Sequence, residues 1–451
     1  MIPVSTTLTV DHIRDCLEGF IPSAIATCAA DGTPNVTYVS QVDYVDREHV
    51  ALSFQFFNKT RENILANPYA TVYVIHPLTG QAYSLHLHYL RTEDSGLLFE
   101  RMKVKLAGIA SHSGMTGIFK LQGADIYRVH HIEKVPVAAL PLPPPRNLLS
   151  ALRYSVEQLQ YCPDVACLLD ETLAKLACGF AIEQSMILLA DETGQRLYTV
   201  ASQGYTAAGI GWEIPLGEGV IGVAAQHRVP IRIAFKTSEY TYSRAIRQTL
   251  TEAGRASELQ NEIPYPGLPA SESQMAIPIL AGTRLLGVLF VESGQPCRFS
   301  YDDEDALVTL MHQLGQRLQH LLHAQRDDVE PAAESVSGAV VPAPAGKPVV
   351  VQHYPENDSI FLDDDYLIKG VAGAILWRLV NSHQHDGRVE FSNRELRMDA
   401  SIGLPELSDN LEARLILLAR RLAERCDYLA IEKTGRGRFR LRVDRPLLLR
   451  E

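Results

Sequence analysis

The 451-residue sequence predicts a multi-domain protein: an antiparallel β-barrel, then an α/β domain, then an α+β tail. Three observations carry this. The chain is longer than one ordinary core fills. Two proline-rich stretches, VPVAALPLPPPRN and DDVEPAAESVSGAVVPAPAGKP, have the composition of spacers rather than of packed elements. The segments they separate also differ in kind: many short strands, then helices around hairpins, then one strongly amphipathic helix followed by a hairpin. The expected divisions are 1–135, a proline-rich linker at 136–147, 148–326, a flexible tether at 327–348, and 349–451.

Composition narrows the class. Hydrophobic residues make up 46% and charged residues 21%, ordinary for a globular chain, and the formal net charge is -11. That charge argues against a chain coated in nucleic acid but leaves room for one local basic face. No apolar run reaches the roughly 18 residues of a membrane helix, and the N-terminus lacks a basic-then-apolar leader pattern, so a cytoplasmic protein is expected. Seven scattered cysteines fit reduced thiols. Of the group Cys162, Cys167 and Cys178, the last two lie three turns apart on one predicted helix and cannot share an ion. Buried apolar thiols are the expectation, and a metal, cluster or redox role is the alternative.

The first segment reads as strands separated by turns at Asp31-Gly32 and Asp46-Arg47. A short amphipathic helix, NKTRENILANP, closes at Asn67-Pro68. Strands resume at ATVYVIHP and QAYSLHLHYLRTE, a helix follows, and ADIYRVHHIEKV is a last strand, together suggesting a closed barrel with few edges. His86, His88, His130 and His131 read as strand histidines facing solvent, with haem or metal ligation the alternative. The order of strand, DGTPNV, strand, ALSF and NKTRENILANP resembles the FMN-binding split barrel of the pyridoxamine 5'-phosphate oxidase superfamily. The resemblance implies an FMN phosphate site at Ser53, Gln55, Asn58, Lys59, Thr60 and Arg61. A helix start with Lys, Arg and a hydroxyl independently suits an anion. Another cofactor such as haem, and an empty site, remain open readings.

In the second segment, NLLSALRYSVEQLQ and DVACLLDETLAKLACGF are predicted helices, SMILLADETG and QRLYTVASQG a hairpin. IPLGEGVIGVAAQHRVPIRI carries Gly217, Gly219 and Gly222 at the start of a short helix, and QMAIPILAGTRLLGVLFVES turns at Gly282. Ser300 and the acids after it cap a long helix. This order resembles a GAF domain, which implies a small-molecule site under a covering region at 234–272 or, equally, a purely dimerising domain. Apolar stripes on 148–160 and 302–323 suggest dimer helices and a homodimer.

In the third segment, SIFLDDDYLIKG is a hairpin and GVAGAILWRLVNSHQHDG a helix ended by Gly387. SNRE is a capping box, DNLEARLILLARRLAERC an amphipathic helix, and YLAIEKTGRGRFRLRV a second hairpin. FSNREL, that helix and IEKTGRGRFRL resemble the winged helix of response-regulator transcription factors. The resemblance implies DNA binding through Arg414, Arg421 and Arg425 on the helix and Arg436, Arg438 and Arg440 on the wing. Residues 410–451 hold eleven Lys/Arg against six Asp/Glu, which is compatible. The helix is unusually apolar for a groove reader, so a protein-binding or structural winged helix is also open.

Together these readings give an expected one-component sensor and transcriptional regulator, with a cofactor or ligand at the barrel or GAF domain controlling a DNA-binding tail. The alternative is a flavin-dependent oxidoreductase with regulatory appendages. No Cys, His or carboxylate spacing commits the chain to catalysis or a metal.

Overall fold

The structure, a computed structural model, describes residues 8–17, 23–39, 41–54, 59–112, 121–142, 144, 146–191, 193–234, 265–324, 346–399, 402, 411–435 and 437–451. Among these, no helix is long and apolar enough to cross a membrane.

The N-terminal domain opens with a 3-10 helix, Val10–Leu17. Seven strands follow: β1 Ser23–Cys28, β2 Pro34–Val39, β3 Val42–Tyr44, β4 His49–Phe54, β5 Tyr69–Ile75, β6 Ala82–Glu93 and β7 Gly123–Lys134. Helices α1, Lys59–Ala66, and α2, Leu97–His112, lie between them. The sheet runs β2-β1-β5-β6-β7-β4-β3, with every pairing antiparallel. The expected closed barrel is therefore corrected to a half-barrel whose edges are β2 and β3. At three residues, β3 has too little length for the pairing that closure needs. Alternation sets the two faces: along β5, Ala70, Val72 and Val74 are buried while Tyr69 and Tyr73 face out.

The middle domain begins with α3, Leu148–Leu159, and α4, Val165–Phe180. Its strands are β8 Gln184–Ala190, β9 Arg196–Gln203, β10 Glu213–Pro215, β11 Ile231–Ile233, β12 Ser273–Ala281 and β13 Arg284–Ser293, with α5, Gly219–His227, before β11 and α6, Tyr301–Ala324, last. The sheet order is β10-β9-β8-β13-β12-β11. Both faces are covered. Along β8, Ile187 and Leu189 pack with residues of α4 and α6, while Met186 and Leu188 pack with α5. Gly222 is dictated by proximity, since a Cβ there would stand 2.3 Å from the Pro215 carbonyl oxygen. Ser300 and Asp303 cap α6 reciprocally, Ser300 Oγ accepting from the Asp303 N–H at 3.2 Å and Asp303 Oδ2 from the Ser300 N–H at 2.9 Å.

The half-barrel joins this domain through α2, whose Val104 enters the same apolar layer as α5. Charged groups complete the junction around the buried Tyr301 ring. The Arg14 and Arg232 guanidinium groups lie 4.5 and 4.3 Å from its centroid, and Lys105 Nζ lies 5.8 Å away. Arg14 pairs with Asp305 at 2.6 Å, Arg232 with Glu304 at 2.8 Å, and Lys105 with Asp43 at 3.2 Å.

The C-terminal module has β14 Val349–Tyr354, β15 Ser359–Leu362, β16 Asp365–Ile368, α7 Gly370–Asp386, β17 Glu390–Ser392, α8 Asn393–Met398, α9 Leu411–Arg425, β18 Leu429–Gly435, β19 Arg438–Val443 and β20 Leu447–Arg450. One sheet runs β16-β15-β14-β20, with β20 parallel to β14; the other runs β17-β19-β18. The Ser392–Glu395 capping box forms in full. The buried apolar residues of this module and of the middle domain make one continuous cluster.

Candidate functional site

At the N-terminal cradle, Gln55 and Asn58 lie outside the described residues. The four others do not converge on one anion. Ser53 Oγ accepts from the Gln41 N–H at 3.1 Å, and Thr60 Oγ1 accepts from Asn35 Nδ2 at 2.9 Å. Lys59 faces solvent near Glu62, 3.6 Å away. Arg61 turns inward: it pairs with Asp125 at 2.6 Å, donates to Thr92 Oγ1 at 2.7 Å and lies 4.7 Å from the Phe54 ring centroid. Burial pushes the Asp125 carboxyl above its usual range, although Thr92 and Arg61 pull it down. A phosphate here would draw on Lys59 and the α1 amides, with Arg61 already answered by a buried acid. The strand histidines line the outer face of β6 and β7, where His86 stacks on His131 at 5.7 Å and His88 meets His130 at 5.8 Å. Among the described residues, no group of three or more ligand-type side chains could hold a metal ion.

The middle domain holds a buried polar group that the sequence reading missed. Glu292 on β13 is 1% exposed. It accepts from the Leu268 N–H at 2.9 Å and contacts Gln274 Nε2 at 3.5 Å, with Ser271 and Tyr205 also hydrogen-bonded to it. Burial pushes this carboxyl above its usual range against the pull of those donors. Beside it, Trp212, Tyr265 and Phe290 form an aromatic wall, with centroids 4.7 and 6.4 Å apart in succession. A buried acid beside tilted and edge-on rings can grip a small molecule having one polar edge and an apolar body. The signal was one acid inside the apolar run GVLFVES. Most of the expected covering region, 235–264, lies outside the described residues.

The C-terminal arginines part company. Arg436 lies outside the described residues. Arg425 and Arg438 are exposed, and Arg440 pairs with Glu390 at 2.8 Å. Arg421 is 4% exposed, donates to the Leu367 carbonyl at 2.9 Å and pairs with Glu424, so it fastens its own module. Arg414 is 8% exposed, its guanidinium 3.9 Å from the centroid of Tyr198 on β9. The seven-residue spacing that put Arg414 and Arg421 on one face is kept, but both are covered, Arg414 by β9 of the middle domain and Arg421 by β16 of its own module. Around it, Arg420 donates to the Val200 carbonyl at 2.7 Å and to Asp170 on α4 at 2.6 Å. Lys433 meets Asp164, the α4 cap, at 2.5 Å, and Lys369 meets Glu213 at 3.4 Å.

Residues 9–140 match the family model described as pyridoxamine 5'-phosphate oxidase, and residues 164–318 match the GAF domain model. No curated protein matches the chain. Similar solved structures include the GAF domain of an Acinetobacter phosphoenolpyruvate-protein phosphotransferase, at 26% identity over 39% of this chain and 94% of that one, TM-score 0.31. A free methionine-R-sulfoxide reductase from Neisseria meningitidis is 19% identical over 42% and 99%, TM-score 0.31. An FMN-binding protein from Syntrophomonas wolfei subsp. wolfei is 13% identical over 28% and 86%, TM-score 0.25. The chain therefore carries a half-barrel domain of the pyridoxamine 5'-phosphate oxidase type followed by a GAF domain.

Proposed function

We propose that this chain is a ligand-sensing regulator whose GAF domain governs whether the C-terminal module stays docked. In this reading the module is a winged helix of the response-regulator type. It engages DNA through Arg414, Arg425, Arg436 and Arg438 once α9 leaves the GAF surface, while Arg421 stays structural. The observation that carries the reading is the covered face of α9, with Arg414 over Tyr198 and Arg420 on Asp170. A regulator of this kind needs two states that a ligand can tell apart. The Glu292 cluster, on the sheet that presents β9, is where a small molecule would act. The reading includes a homodimer along α3 and α6, supported by exposed Leu149 and Tyr154 on α3.

Its test is a gel shift with double-stranded DNA, comparing the full chain with a variant carrying Arg420→Ala and Lys433→Ala. The variant binds more tightly, and its affinity falls steeply with salt. Absence of binding by both proteins contradicts the DNA reading.

The match over residues 9–140 favours a second reading, a flavin-dependent oxidoreductase. Lys59 and the α1 amides would hold the phosphate, and the flavin would supply the redox chemistry. Purified protein with flavin absorbance that a substrate bleaches supports it; colourless protein that takes up no FMN contradicts it.

A further inference from the structure

We propose that Cys162 and Cys167 form a modification site: a dithiol that hydroperoxides close into a disulfide, loosening the C-terminal module. The connection between α3 and α4 brings the two thiols together. Cys162 precedes the α4 cap, and Cys167 lies in the first turn of α4. Their side chains are in hydrogen-bonding reach of each other. Cys162 belongs to the apolar core and Cys167 packs against it. Cys178 is exposed at the other end of α4 and takes no part.

The residue between the two thiols gives the site a consequence. Asp164 spends one carboxylate oxygen on the Cys167 N–H, at 2.9 Å, and the other on Lys433 of β18, at 2.5 Å. The same side chain therefore caps α4 and holds the C-terminal hairpin. Arg317 on α6 also donates to the Cys162 carbonyl at 2.7 Å, tying the connection from the other side. A disulfide fixes the distance and torsion between its two half-cystines. Making one here redraws the short segment that aims Asp164, and the Lys433 contact is lost first because it is the only one of these bonds that leaves the domain.

The chemistry balances with a hydroperoxide as oxidant. The Cys167 thiol gives up its proton and its sulfur attacks the peroxide O–O bond, taking one oxygen as a sulfenic acid, while that proton leaves with the other oxygen as an alcohol or water. Cys162 then attacks the sulfenic sulfur. The S–S bond forms, and hydroxide leaves as water with the Cys162 proton. Cys167 is the more open of the two and meets the oxidant first, whereas burial pushes the Cys162 thiol up to about 12, so it keeps its proton until the sulfenic acid forms beside it and the second step is the slow one. The site needs neither a cofactor nor DNA, so it stands or falls separately from the proposed function.

The test treats the full chain with a small excess of hydrogen peroxide and reads intact mass and hydrogen exchange. The expected result is loss of the mass of two hydrogens, mapped to a 162–167 cross-link, reversed by a dithiol reductant and absent from Cys162→Ser and Cys167→Ser. With it, amides of residues 411–435 exchange about tenfold faster or more. Addition of oxygen atoms without a cross-link overturns the proposal, and so does a cross-link that leaves exchange at 411–435 unchanged. Wild-type mass alone decides the first point, so a serine variant that fails to fold does not spoil the test.

Discussion

The two junctions of the GAF domain are built from different materials. Toward the half-barrel, charge is buried. The side chains of Arg232 and Glu304 are 3% and 11% exposed, and Asp43 is enclosed by Lys105 and Arg101. Toward the C-terminal module one partner of each pair is open to water, Lys433 being 54% and Asp170 67% exposed, while Asp164 and Arg420 are 19% and 21% exposed. Buried pairs cost much to break, because the survivor is left uncompensated, whereas exposed pairs contribute little. The first junction is thus held by buried charge, and in the proposed function the second, which adds exposed pairs to a shared apolar core, is the one that releases. Having both on one domain suits a regulator that keeps its sensor assembled while its output arm moves.

That contrast can be attacked most strongly with Arg232→Met. It leaves Glu304 buried without its partner and should destabilise the chain by about 3–5 kcal/mol in chemical denaturation. A loss nearer that of a surface pair would erase the distinction. Acid is the next lever. Burial alone would raise the Glu304 and Asp43 carboxyls, but Arg232 and Lys105 for the first, and Lys105 and Arg101 for the second, outweigh it and hold both below the usual range. Folded values below the unfolded ones mean stability present above the ordinary carboxylate range, about pH 4, and lost as pH falls through the folded values. The half-barrel junction should therefore hold from neutral pH to about pH 5 and fail in stronger acid, followed by thermal unfolding.

Smaller effects sharpen the other side. Glu292→Gln removes a carboxyl that burial holds above its usual range. Its neutral form is favoured below the unfolded value, and that stability is lost as pH rises, so the amide should be the more stable of the two at neutral pH while altering ligand uptake. Lys433→Ala should cost less than about 1 kcal/mol in stability yet raise exchange across β18, and high salt should do the same to the wild type.

Much of the fold was legible in the sequence, for local reasons. Asp31-Gly32 and Gly282 mark turns whatever surrounds them, and Ser392 with Glu395 makes its capping box from neighbouring residues. The half-barrel's open edges were not legible, since the shortness of β3 shows only against its neighbours. Nor were β14 and β20, two short strands that pair across almost the whole module. The candidate sites were harder still. Arg61 reads as an anion-binding cation until Asp125 is brought to it from 64 residues away. Arg414 and Arg421 share a face as their spacing says, but spacing cannot tell whether water, a second domain or the helix's own module covers each of them. The leucine-rich character of α9 was the clue that it packs.

The docked arm is tested most directly by swapping charges across Arg420 and Asp170. Arg420→Asp and Asp170→Arg are made singly and together, and the radius of gyration of the full chain is measured by small-angle scattering. Each single change should expand the molecule, and the double change should restore the compact value. Unchanged dimensions in both single variants would contradict the account.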